Sequence, residues 1–213
     1  MNQRETARAA RLMLVTPVVR EAEPTAALLA AACGAGEIAA VLGRISSDDP
    51  EPVARALMKE AQQSGSAFLL QDRAKLAVMI GADGAHLSDL HAFHEAHPIL
   101  KPALIAGAGG LASRHDAMIM GEAGADYVMF GEPGRTGRRP SLATVVERVA
   151  WWAEIFEVPC VAYAETLAET AALAQAGADF IALGEVFWCD PVRVRGSIAE
   201  AHALIAAPER VIS

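Results

Sequence analysis

The residues of this chain best placed for chemistry are the charged and polar ones that directly follow short apolar runs. Asp72 comes right after Gln71 and the run Ala67–Leu70. A carboxylate at the end of a buried strand can hold a Mg2+ ion, which takes oxygen ligands. Arg44 and Ser46 follow Ile38–Leu42, and Ser88 and Asp89 follow Ala85–Leu87. Gly107-Ala108-Gly109-Gly110 closes a fifth run, Gly131-Glu132-Pro133 a sixth, Glu165 a seventh and Glu185 an eighth. The loop holding Arg135, Arg138 and Arg139 is the strongest anion site that the residue types offer, since guanidinium groups pair well with phosphate. Any one of these residues taken alone is equally well read as an ordinary loop residue.

Three other patterns have plainer readings. Gly107-Ala108-Gly109-Gly110-Leu111-Ala112 satisfies a dinucleotide-binding spacing, but it follows a fifth strand rather than opening a first βαβ unit. His86, His91, His94 and His97 cluster, yet Pro98 stands where His94-Glu95 would need a second histidine for a metalloprotease motif. A solvated helix accounts for His91 and His94, while His86, inside an apolar run, is expected to be buried. Trp151-Trp152 lies on a helix whose apolar stripe packs on a core; adjacent side chains diverge by about 100°, leaving one for a subunit contact.

The elements that must position these residues follow from a repeat. Gly81-Ala82-Asp83, Gly124-Ala125-Asp126 and Gly177-Ala178-Asp179 each end an Ala-rich helical stretch and precede an apolar run, and Gly34-Ala35-Gly36-Glu37 does so in a looser form. Glycine ends helices in the left-handed conformation, and Asp suits the turn into a strand. Eight apolar runs result: Leu12–Val19, Ile38–Leu42, Ala67–Leu70, Ala85–Leu87, Ala103–Ala106, Tyr127–Phe130, Cys160–Ala164 and Phe180–Leu183. Helices are expected between them, near 24–33, 50–64, 73–80, 89–96, 113–123, 141–156, 167–176 and 190–207. Runs without alternation suit parallel strands covered on both faces. Spread over 213 residues, eight βα units take about 27 residues each, which suits a single α/β (β/α)8 TIM barrel spanning 1–213. A doubly wound open sheet fits less well, because it gives no reason for a repeat on every second strand.

Composition agrees. Hydrophobic residues form 53% of the chain and aromatics 5%, which excludes disorder and disfavours an aromatic-rich sandwich. The net charge of −8 argues against nucleic acid as a partner. Cys33, Cys160 and Cys189 are odd in number and form no C-x-x-C pair, so neither a disulfide framework nor a structural zinc site is expected. Arg4, Arg8 and Arg11 precede the apolar run Leu12–Val15, but Thr16-Pro17 ends that run without a cleavage signal. No membrane span is expected either, and the expected location is the cytoplasm.

The block Ala67-Phe68-Leu69-Leu70-Gln71-Asp72-Arg73, with Leu76-Ala77 and then Gly81-Ala82-Asp83-Gly84-Ala85-His86-Leu87, resembles the thiamine phosphate synthase and TenI-like family. Gly124-Ala125-Asp126-Tyr127-Val128 and Gly131 resemble its sixth strand, and the likeness extends over nearly the whole chain. It implies a barrel enzyme of thiamine biosynthesis. Such an enzyme joins an aminopyrimidine methyl diphosphate to a thiazole phosphate, with Mg2+ and basic side chains neutralising the departing pyrophosphate. By position, Arg44 matches the arginine that faces the pyrophosphate and Asp72 the metal-binding carboxylate. Gln71 replaces an asparagine, Thr136 matches a threonine, and Arg139 replaces a lysine in the loop after strand six.

The departures imply a second possibility. Ser46 stands where the family has a lysine, Gly110 where it has a serine, and His91 where it has a second metal carboxylate, which Asp89 replaces only if the loop shifts. Tyr163-Ala164-Glu165 stands in place of a Gly-Gly turn that cradles the thiazole phosphate, and Gly184-Glu185 in place of a small polar strand end. The implied function is therefore either the synthase reaction on small phosphorylated heterocycles, or a divergent barrel that binds another ligand or a protein partner.

Overall fold

The computed structural model describes residues 9–206 except 135 and 189, together with all but the side chain of Val186. Arg4, Arg8, Arg135 and Cys189 therefore lie outside the described residues. The strands are β1 (Arg11–Val19), β2 (Ile38–Ile45), β3 (Ala67–Gln71), β4 (Gly84–Leu87), β5 (Ile105–Ala108), β6 (Tyr127–Phe130), β7 (Cys160–Ala164) and β8 (Phe180–Leu183). Between and after them run α1 (Thr25–Cys33), α2 (Pro50–Gln63), α3 (Ala74–Ile80), α4 (Leu90–Leu100), α5 (Arg114–Glu122), α6 (Leu142–Ile155), α7 (Leu167–Gln175) and α8 (Pro191–Ala206). Each strand pairs in parallel with the next, and β1 pairs with β8 to close the barrel. This is the (β/α)8 architecture expected from the repeat.

Three elements differ from expectation by more than one residue. Strand β2 runs on to Ile45, three residues past the apolar run, so Arg44 lies within the strand and not beyond it. The fifth strand starts at Ile105, two residues later than the apolar run, because Lys101–Ala103 form a turn around Pro102, which has no N–H for a ladder. Helix α4 continues to Leu100 with Pro98 in its last turns, since Phe93, Ala96 and Leu100 extend one buried face.

The repeat has a structural purpose beyond turning the chain. Gly81, Gly124 and Gly177 take φ of 77°, 90° and 97°, the left-handed geometry expected at a helix end; Gly34, at −74°, does not. The Asp that follows reaches back to the preceding strand. Asp83 Oδ2 accepts from the Phe68 amide at 2.7 Å, Asp126 Oδ2 from the Ala106 amide at 2.7 Å, and Asp179 Oδ2 from the Cys160 amide at 2.8 Å. In the looser first copy Glu37 instead pairs with the Arg11 side chain at 2.8 Å. Each odd strand is thus bolted to the even strand after it, at the end of the barrel away from its mouth.

Apolar side chains form two layers. Met13, Val15, Leu42, Leu69, Tyr127, Met129, Val161, Tyr163 and Ala182 fill the barrel interior. The larger layer, including Phe68, Phe93, Phe130 and Trp152, lies between strands and helices. Trp152 is fully buried and donates its Nε1 proton to the Val158 carbonyl at 2.7 Å. Trp151 is half-buried, with the Arg114 guanidinium 4.9 Å from its ring centre. Among the described residues, no helix is long and apolar enough to cross a membrane.

Candidate functional site

The C-terminal strand ends form one mouth, where barrel enzymes carry out their chemistry. Arg44 lies two residues beyond Leu42, so the strand period puts it on the interior face. Its amide donates to the buried Thr16 Oγ1 at 3.0 Å, which ties β2 to β1 at the rim. Its guanidinium pairs with Glu185, in the short 3-10 turn Glu185–Phe187 after β8. Gln71 ends β3. Asp72 follows with φ of 52°, a left-handed conformation that costs a non-glycine residue energy. Three hydrogen bonds hold it there. The Asp72 amide donates to the His86 carbonyl at 2.9 Å, and the carboxylate accepts from the Ser88 amide at 2.8 Å and the Ser88 hydroxyl at 2.6 Å. Arg44, Gln71, Asp72, Glu132, Glu165 and Glu185 all line one cavity of about 580 Å3 at this mouth.

Glu132 is the feature that sequence reasoning did not single out. One carboxylate oxygen accepts from the Gly110 amide at 2.5 Å, and the other lies 3.2 Å from His86 Nε2. His86 is fully buried, as expected, with Nδ1 2.8 Å from the Tyr127 hydroxyl. Burial pushes the Tyr127 pKa well up, so the phenol keeps its proton in its hydrogen bond with Nδ1, while Nε2 faces the Glu132 carboxylate. Burial also works to raise the Glu132 pKa, but His86, the Gly110 amide and the Arg44 charge outweigh it and hold the carboxyl below its usual value. Gly109 makes the room: a Cβ there would lie 1.9 Å from the Glu132 carboxylate. The available signals were a charged residue just past β6 and a histidine inside an apolar run.

Arg139 is 12% exposed and sits between two carboxylates. Its Nη1 donates to Glu165 at 3.0 Å and to Glu169, on the first turn of α7, at 2.9 Å. Burial works to lower the Arg139 pKa; the two carboxylates outweigh it and raise it. Glu169 also accepts the Glu165 amide at 3.0 Å, so an internal anion occupies a backbone donor just past β7. Tyr163 stacks its ring 5.8 Å from the Arg139 guanidinium, and burial raises its phenol pKa.

The remaining sequence candidates lie elsewhere. Ser46 is exposed beyond β2, its amide donating to the Val19 carbonyl at 2.9 Å. Thr136 is exposed in the loop after β6, and Arg135 is outside the described residues. Gly110, with φ of 66°, contributes its amide to Glu132. The Asp89 carboxylate caps α4 through the Ala92 amide at 2.8 Å. His91 is 85% exposed and lies 3.6 Å from Glu95. Among the described residues, no group of three or more His, Cys, Asp or Glu side chains is arranged to hold a metal ion.

Known proteins resemble this chain both in sequence and in fold. Thiamine-phosphate synthase of Rhodospirillum centenum is 39% identical over 201 residues, which cover 92% of this chain and 97% of that protein. Thiamine-phosphate synthase of Hyphomonas neptunium is 34% identical, over 84% of this chain and 86% of its own. In fold, thiamine phosphate pyrophosphorylase from Pyrococcus furiosus superposes with a TM-score of 0.76 at 23% identity, over 92% of this chain and 95% of that one. (S)-3-O-geranylgeranylglyceryl phosphate synthase from Thermoplasma acidophilum gives 0.64 at 18% identity, over 92% and 93%. At such identities the structures speak for the barrel alone. The sequence likeness goes further: the family described as thiamine monophosphate synthase matches residues 12–187, from β1 through the turn after β8. With the barrel, its mouth and near-complete coverage in agreement, this chain belongs to the thiamine monophosphate synthase family.

Proposed function

We propose that this chain joins the methylene carbon of an aminopyrimidine methyl diphosphate to the ring nitrogen of a thiazole phosphate and releases pyrophosphate, forming thiamine phosphate. The observation that carries this reading is the convergence of Arg44, Gln71 and Asp72 on one cavity, in a chain of this family. The C–O bond to the diphosphate breaks, and its electron pair leaves with the pyrophosphate. The thiazole nitrogen then supplies the pair for the new C–N bond. Arg44 meets the charge gathering on the leaving group, which is the electrostatic work that most lowers such a barrier. To do so it must part from Glu185, which is 54% exposed on a short turn and free to swing into water.

Mg2+ would add charge neutralisation at the same leaving group. Asp72 suits it as one ligand, because a carboxylate that accepts two hydrogen bonds still has lone pairs to offer. Asp89 is turned to cap a helix, so of the two carboxylates expected to hold the metal it is Asp72 that borders the cavity. Such a donor set suits an ion that arrives on the diphosphate and keeps its waters, as Mg2+ prefers, rather than a resident metal.

The test is to incubate the protein with both substrates and Mg2+ and to assay for thiamine phosphate. Absence of product at high enzyme concentration refutes the reading. If product forms, Asp72→Ala should remove most of it. One observation favours a second reading, a divergent barrel with another ligand: Glu165 and Glu169 already engage Arg139, where a phosphate would otherwise bind. The same assay decides between the two.

A further inference from the structure

We propose that Glu132 receives the aminopyrimidine ring and stabilises the positive charge that develops on it as pyrophosphate leaves. The inference rests on the pyrimidine-transfer reading above and adds the residue responsible for the electrophile. Three observations converge on it. Glu132 lines the same cavity as Arg44 and Asp72, so one space has cation and metal-ligand chemistry for a diphosphate and, beside it, an anion for what the diphosphate is attached to. Its carboxylate is 15% exposed and is held ionised by His86 and the Gly110 amide, so the anion is fixed before any substrate arrives. A carboxylate also has about four lone-pair positions, and the Gly110 and His86 contacts use two of them.

The chemistry matches. An aminopyrimidine carries an exocyclic amino group, which donates hydrogen bonds and becomes a stronger donor as the ring becomes cationic. When the methylene–oxygen bond breaks, the positive charge spreads from the methylene carbon into the ring and that amino group. A fixed anion at hydrogen-bond distance gains interaction energy as this happens, so it stabilises the transition state more than the ground state. Glu132 neither gains nor loses a proton in the step. The thiazole nitrogen ends it by forming the C–N bond.

The support behind Glu132 fits this role. The chain His86–Glu132–Gly110 leaves the carboxylate little freedom, and Gly109 cannot become any other residue without driving a Cβ into Glu132 and His86. A group that only held the loop in place would not need to border the cavity.

The experiment is a cycle between protein and substrate. Wild type and Glu132→Gln are each assayed with the natural aminopyrimidine methyl diphosphate and with the analogue lacking the amino group. The expected loss in kcat is about 100-fold for the substitution with the natural substrate, the scale of removing one preorganised electrostatic contact. With the analogue the substitution should cost about tenfold less, because the partner is already gone. Equal losses with both substrates, or an unchanged kcat in Glu132→Gln, overturn the proposal. Circular dichroism shows whether the variant folds; if it does not, Glu132→Asp, which keeps the charge but withdraws it, goes through the same cycle with the same expectation and the same overturning result. If wild type forms no product from the natural substrates, the transfer reading has failed and this inference falls with it. Product with additive losses refutes Glu132 alone.

Discussion

Arg44 faces two competing anions, Glu185 and the incoming diphosphate, and the internal one is a surface carboxylate. Glu185→Gln should therefore lower the KM for the pyrimidine diphosphate by about threefold or more, with kcat little changed, since an exposed ion pair is worth well under a factor of ten; steady-state kinetics at fixed salt reads this. Glu132 makes a prediction of a different kind. Its folded-state pKa is depressed, so its ionised contacts add stability above the usual carboxylate range, and that stability is lost as pH falls through the folded value. Urea denaturation at pH 7 should find Glu132→Gln less stable by about 1–3 kcal/mol, the cost of weakening a buried charged hydrogen-bond pair. The gap should close as the solution is acidified; a gap that stays constant with pH would remove the ionised carboxylate from the account. Asp72 and Arg44 could be picked out in the sequence because a charge directly after an apolar run betrays itself locally. Glu132 also stands just past an apolar run, but its role could not be read from that, and Glu169 gave no such signal. Their meaning lies in partners 46 and 30 residues away, His86 and Arg139, which only the closed barrel brings together.

Among the elements, the clearest lesson comes from the repeated aspartates. The eight βα units were legible because apolar runs and Gly-Ala-Asp turns recur at a steady spacing. The work of the Asp was not, because its partner is an amide on the strand before the intervening helix. If the bolts matter energetically, Asp126→Ala should cost about 2 kcal/mol, since it leaves the part-buried Ala106 amide without its acceptor. Glu37→Ala, which breaks only the exposed pair with Arg11, should stay within about 0.5 kcal/mol. Equal urea midpoints for the two variants would mean that the aspartates guide turns and nothing more. The displaced start of β5 has the same origin as the hidden bolts: apolarity alone does not tell a strand residue from a turn residue beside a proline.

At the scale of the molecule, Cys160 reports on whether the barrel opens as a unit. Its thiol is fully buried in β7, and burial, reinforced by the charge of Asp179, pushes its pKa up to about 12. Iodoacetamide at pH 8 should leave Cys160 unmodified in the native protein, and mass spectrometry should find its labelling rising only with denaturant, in step with loss of the fold. Labelling in native buffer at the rate of a free thiol would show that the β7 wall opens locally. The bolts have one more consequence, which concerns where the chain tolerates being cut. They join β3 with β4, β5 with β6 and β7 with β8 across 15, 20 and 19 residues, so every one lies within a β–α–β unit and none spans α2, α4 or α6. Two fragments divided at one of those even-numbered helices each keep their bolts whole and should reassociate into the barrel. A division at α3, α5 or α7 severs a bolt and should not.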